Sequence, residues 1–191
     1  MTSETLTGRR SQILQATLDL VAERGLLNTT VALIARQAKS SPGIIYHYFE
    51  SKEQILHSLY ENILHEYAGA LMAGDPLAQD ALGRYKTIWL KTYGYFVSHP
   101  KQASFLEQYK SSAYAQFNQS VESDPHLAPL IQAVRRDIAS GLVKDLPLDV
   151  IYALTVDVAK SLAKLHTAGL VHLDAAQLDE IAQASCRVLI G

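Results

Sequence analysis

The chain of 191 residues is 48% apolar and 19% charged, has one cysteine and carries a formal charge of −2 at pH 7, so it can bury a core without disulfide or metal staples. The lone Cys186 excludes a disulfide framework and points to a reducing cytoplasm, while Asp157, Lys160 and Lys164 interrupt the best apolar stretch before membrane length. The opening MTSETLTGRR holds no apolar signal-peptide core.

Charge is unevenly divided. Residues 1–52 hold six basic and four acidic groups, net +2, and the remainder holds 11 basic and 15 acidic groups, net −4. Proline and its neighbours punctuate the rest. Ser41-Pro42, Asp75-Pro76 and Asp124-Pro125 each set a capping side chain before a proline suited to a first helical turn. Pro100 and Pro147 open two further periodic runs, Ser51-Lys52-Glu53-Gln54 reads as a capping box, and Gly25 and Gly169 read as helix stops. Nine helices are expected, over 9–24, 30–37, 42–48, 52–73, 76–98, 100–118, 126–143, 147–168 and 174–190, with no sheet. The expected fold is all-α: a helix-turn-helix unit of three helices over residues 1–51 and a larger helical domain over 52–191.

The first helix places Ile13, Leu14, Leu18, Val21 and Ala22 on one face. Thr30 caps a short second helix that buries Ile34, and after Lys39-Ser40 a third begins at Ser41-Pro42. Two short helices joined so tightly must cross steeply, and the second of such a pair fits the DNA major groove. Thr29-Thr30-Val31, Ile34-Ala35 and the string Ser41-Pro42-Gly43-Ile44-Ile45-Tyr46-His47-Tyr48-Phe49-Glu50-Ser51-Lys52-Glu53 resemble the DNA-binding domain of the TetR family of bacterial transcriptional regulators. The resemblance covers about residues 9–56. It departs at Lys39-Ser40, where the family usually has glycine and an apolar residue, and at Ile44, where it often has threonine.

By that resemblance, Gly43 lets the backbone approach DNA, Pro42 and Ile44 face base edges, and Tyr46, His47 and Lys52 reach phosphates, with Thr30 and Ser41 offering hydroxyls or amides. Ile45 and Phe49 pack inward. For Lys39 two readings stand, a solvated turn charge and a phosphate contact.

The helix over 147–168 carries two apolar stripes, Ile151, Leu154, Val158, Leu162 and Leu165, and, ~130° away, Tyr152, Val156, Ala159 and Ala163. One stripe needs the chain's own core and the other a further cover. A second copy would supply it through Tyr152, Val156, Ala159 and Ala163 with Leu178, Ile181, Ala182, Ser185 and Leu189 of the last helix. The resemblance implies that this helix pair is the dimer seam; cover from the helices over 100–118 or 126–143 is the other reading.

Aromatic residues gather in the middle helices: Tyr85, Trp89, Tyr93 and Phe96, then Phe105, Leu106, Tyr109 and Phe117, with Tyr60 from the fourth helix. Such stripes form ordinary core, or line a chamber of ~300–1,000 Å³ for a small, largely apolar or aromatic effector. The resemblance implies the chamber. It also implies a homodimeric repressor on a pseudo-palindromic double-stranded DNA operator, released when effector binds, in the cytoplasm and without membrane partner or cofactor. Two other classes compete. One is a dimeric small-molecule-binding or adaptor protein without DNA function; the other is a metal-dependent hydrolase using His57, Glu61 and His65, spaced by four on one helix face. No nucleophile elbow or phosphate loop supports an enzyme.

Overall fold

A computed structural model of the protein describes residues 3–115 and 124–190; Phe117 lies outside them. The described residues form α1 (Ser3–Arg24), α2 (Val31–Gln37), α3 (Pro42–Tyr48), α4 (Lys52–Met72), a 3-10 turn (Pro76–Ala78), α5 (Ala81–Ser98), α6 (Pro100–Lys110), α7 (Leu127–Ala139), α8 (Leu148–Leu154), α9 (Val156–Thr167) and α10 (Ala175–Arg187). Among them no strand occurs, only one antiparallel bridge between Val143 and Ile190.

Two boundaries differ from expectation for local reasons. Asp75 takes φ 49° and makes no side-chain cap, so Pro76 starts only a 3-10 turn. Helix α5 begins later, where the Asp80 carboxylate accepts from Gly83 N at 2.7 Å. The run expected over 147–168 breaks into α8 and α9 at Thr155, whose buried hydroxyl donates to the Ile151 carbonyl at 2.7 Å, a bond known to bend helices.

The contacts divide the chain into two compact units: the first holds residues 3–63 and 101–115, the second 64–100 and 124–190. In the first, Ile13, Leu14, Leu18 and Val21 of α1 are buried with Ile34, Ala35, Ile45, Phe49, Ile55, Leu56 and Leu59. Helix α6 joins this unit because Gln108 reaches the C-terminal end of α1. Its Oε1 accepts from Leu26 N at 2.8 Å, just beyond the helix, and its Nε2 donates at 3.4 Å to the Val21 carbonyl, which also accepts from Gly25 N. Lys101 pairs with Asp19 at 2.6 Å.

The second unit is built around α5, against which α9 and α10 pack. Ala159, Ala163 and Ala182 are fully buried there, small side chains that let helix axes approach closely. Asp174 and Gln177 form a reciprocal capping box at the start of α10. Arg84, Tyr85 and Asp137 form a buried polar knot tying α5 to α7. Cys186 is buried and burial pushes its thiol up to about 12, which makes it inert as a nucleophile at neutral pH.

Candidate nucleic-acid interface

Helix α2 starts where Thr30 Oγ1 accepts from Leu33 N at 3.3 Å, and α3 where Ser41 Oγ accepts from Ile44 N at 3.4 Å. Each cap contributes about 1 kcal/mol and leaves its hydroxyl hydrogen free for an external acceptor. Between them, Ser40 N donates to the Ala35 carbonyl at 2.8 Å, and Lys39 sits in the left-handed region at φ 50°. A side chain there costs roughly 1 kcal/mol against glycine. Ser40 Oγ is buried with no hydrogen-bond partner among the described residues, adding about 1–3 kcal/mol. The two departures from the family turn are therefore both destabilising.

Helix α3 is two-sided. Ile45 and the following Phe49 are buried, and Arg10 lies 5.3 Å over the Phe49 ring, anchoring that face to the unit's core. On the other side Pro42, Gly43 and His47 are exposed, with Ile44 at 44% and Tyr46 at 56% exposure. An isoleucine and a tyrosine left this open on a seven-residue helix present apolar surface for base edges and a phenol for phosphate. Tyr48 is half-buried, with its ring edge-on to His47.

Lys52 has intrachain partners as well. Its ammonium donates to the Leu26 carbonyl at 3.0 Å and lies 5.9 Å from the Tyr114 ring, and burial lowers its pKa despite Glu53 nearby. It ties the start of α4 to the segment after α1, an intrachain role that the sequence did not show. Lys52→Ala is expected to lower stability by about 1 kcal/mol, read by thermal unfolding; an unchanged Tm would assign the residue to DNA alone.

Two family models match the chain. "Bacterial regulatory proteins, tetR family" spans residues 13–59, and "Tetracyclin repressor-like, C-terminal domain" spans residues 81–190. The chain belongs to the TetR family. Among curated relatives, the HTH-type transcriptional regulator HbdR of Aromatoleum sp. is 46% identical over 59 residues, 31% of this chain and 26% of HbdR. BetI 1 of Chromohalobacter salexigens is 43% identical over 63 residues, 33% of this chain and 31% of BetI 1. The chain thus matches only about a quarter to a third of the length of these relatives. Solved structures match throughout. A TetR family regulator from Marinobacter aquaeolei superposes with TM-score 0.89 at 20% identity over 99% of both chains. A putative TetR family regulator from Vibrio parahaemolyticus gives 0.81 at 26% identity, over 96% of this chain and 99% of that one.

In this TetR-family chain the aromatic residues expected to line one chamber fall into both units. In the first, Tyr109 stacks on Tyr60 at 4.9 Å and on Phe105 at 5.7 Å, all three buried, and its hydroxyl meets His57 Nδ1 at 3.3 Å; Leu106 is half-buried. In the second, Trp89 stacks on Tyr93 at 6.1 Å, Tyr85 bonds Asp137, and Phe96 is buried. Tyr93 OH lies 2.7 Å from His166 Nδ1. The Trp89 indole nitrogen is enclosed and has no hydrogen-bond partner among the described residues.

Of the residues expected at the dimer seam, Ala159, Ala163, Ala182 and Leu189 are buried by the chain itself. Val156, Leu178, Ile181 and Ser185 are half-buried, and Tyr152 is exposed beside the Lys160 ammonium at 3.2 Å. In the other stripe Ile151 is buried, Val158 and Leu162 are half-buried, and Leu154 and Leu165 are exposed. Of the three residues in the metal reading, His57 pairs with Glu61 at 3.4 Å and His65 turns to Asp124 at 3.3 Å; among the described residues no group of three His, Cys, Asp or Glu is placed to hold a metal ion.

Proposed function

We propose that this TetR-family chain is a homodimeric transcriptional repressor that reads a pseudo-palindromic DNA operator through α3 and leaves it when a small effector binds the second unit. The observation that carries the reading is the two-sidedness of α3: Ile45 and Phe49 fix one face, and Pro42, Gly43, Ile44, Tyr46 and His47 stand open on the other. Two half-sites on an operator require two copies, and the exposed Leu154, Leu165, Leu170 and Val188 offer apolar surface for the second. Thr30 and Ser41 contribute hydroxyls toward phosphate.

The effector reading rests on Trp89. A buried indole N–H without a partner costs stability, and a ligand acceptor bound there would satisfy it while rings on α5 supply apolar contact. Such a ligand is largely apolar or aromatic with one hydrogen-bond acceptor. It acts by preferring one of two conformations, and α4, whose residues enter both units, is the element through which the change would pass. The test is a fluorescence-anisotropy titration with duplexes from the DNA upstream of the coding sequence, alongside emission of Trp89, the single tryptophan. Saturable, salt-sensitive binding by a dimer that falls for Tyr46→Ala and His47→Ala supports the proposal. Equal binding by parent and variants refutes the residue assignment.

A further inference from the structure

We infer that Lys39, with Arg9 beside it, holds a backbone phosphate of the operator outside the base-reading helix; the inference rests on the DNA-binding reading of α3. Lys39 occupies a left-handed turn position at φ 50° that glycine would take without strain. Its exposed side chain makes no hydrogen bond or ion pair among the described residues, so no intrachain contact offsets that strain. The neighbouring Ser40 hydroxyl, buried and unpartnered, shows that the turn is not arranged for stability. What the residue does supply is a free cation on the joint between α2 and α3.

The position of that cation is specific. Lys39 lines a groove of about 390 Å³ together with Arg9, Gln12, Gln15, Ala16 and Gln37. Arg9 spends one N–H on Gln12 Oε1 at 3.1 Å and keeps the others for an external acceptor. The acidic group on this groove, Asp19, is engaged by Lys101 at 2.6 Å and by Gln15 at 3.4 Å, so its charge is countered within the chain. Two cations and carboxamide donors in the same compact unit as α3 suit a phosphodiester, which needs charge and several N–H donors.

The experiment measures duplex affinity against salt, from about 50 to 300 mM, for the parent and for Lys39→Gly, Lys39→Gln, Lys39→Arg and Arg9→Gln. Removing one cation–phosphate interaction lowers the slope of log K against log salt by about one per protomer. Lys39→Gly and Lys39→Gln are expected to lose that slope and bind roughly tenfold more weakly at low salt, while Lys39→Arg keeps it. Lys39→Gly also raises Tm, and Lys39→Gln, which retains the strained side chain, does not, so the shared fall in slope is attributable to charge. Arg9→Gln lowers the slope as well. A parent that binds DNA with a slope unchanged in Lys39→Gly and Lys39→Gln overturns this inference alone. A parent that binds no duplex overturns the function proposed above and this inference with it.

Discussion

Asp137→Asn will destabilise the chain by about 3–5 kcal/mol, the magnitude expected when a buried ion pair loses one partner. Asp137 is 8% exposed and Arg84 6%. The carboxylate oxygen Oδ2 accepts from the Arg84 guanidinium and from Tyr85 OH at 2.8 Å. Arg84 Nη1 reaches the Gln79 carbonyl at 3.2 Å, while its Nε already has no partner among the described residues. The amide keeps the shape of the carboxylate but leaves a guanidinium buried without its counter-charge. Arg84→Met combined with Asp137→Leu removes both charges, and most of the stability should return. At this chain length the single variant should lower Tm by roughly 6–20 °C, and urea unfolding should show a lower midpoint. A loss below about 1 kcal/mol would mean that solvent reaches the pair. Tyr85 adds a pH dependence: burial, first, and its bond to Asp137 raise its pKa above 10. The stability held by its neutral phenol is therefore complete below pH 10, where the unfolded side chain is also neutral, and drains as pH rises above 10.

The features legible in the sequence are those encoded within a few residues. Thr30, Ser41 and Ser51 cap helices where read, because a cap is a contact across three positions. The inward and outward residues of α3 are read through the resemblance to the TetR family, and Ile45 and Phe49 are buried. What failed needed distant partners. Arg84 and Asp137 stand 53 positions apart, and nothing local links a charged residue on one helix to another so far away. Tyr60 and Tyr109 likewise meet across the chain, which is why α6 belongs with the first helices. The two stripes of α8 and α9 were visible, but periodicity does not say which face the chain covers itself. A signal was present in Ala159 and Ala163: alanines on one face mark where another helix comes close, and here that helix is α5.

Gly43→Asp should abolish operator binding while leaving the fold intact. A Cβ at Gly43 would meet only Ser41 Oγ, at 4.0 Å, ordinary contact within the chain. The residue lies in the first turn of a helix that has no acidic group there, where a carboxylate is favoured by the exposed N–H groups and aspartate exceeds glycine in helix propensity. Tm is thus expected to hold or rise slightly. Toward DNA the effect reverses. The same carboxylate would stand among Pro42, Ile44, Tyr46 and His47 on the open face, adding bulk where the backbone must come close and negative charge against phosphates. Like charges brought together at an interface cost several kcal/mol, so affinity should fall by at least about 100-fold. Gly43→Ala separates the two contributions, since it adds a methyl without charge and should give an intermediate loss. Anisotropy titrations of the three proteins on one duplex read the affinities, with thermal unfolding as the control for folding. Undiminished binding by a folded Gly43→Asp protein would place the DNA contact on some surface other than α3.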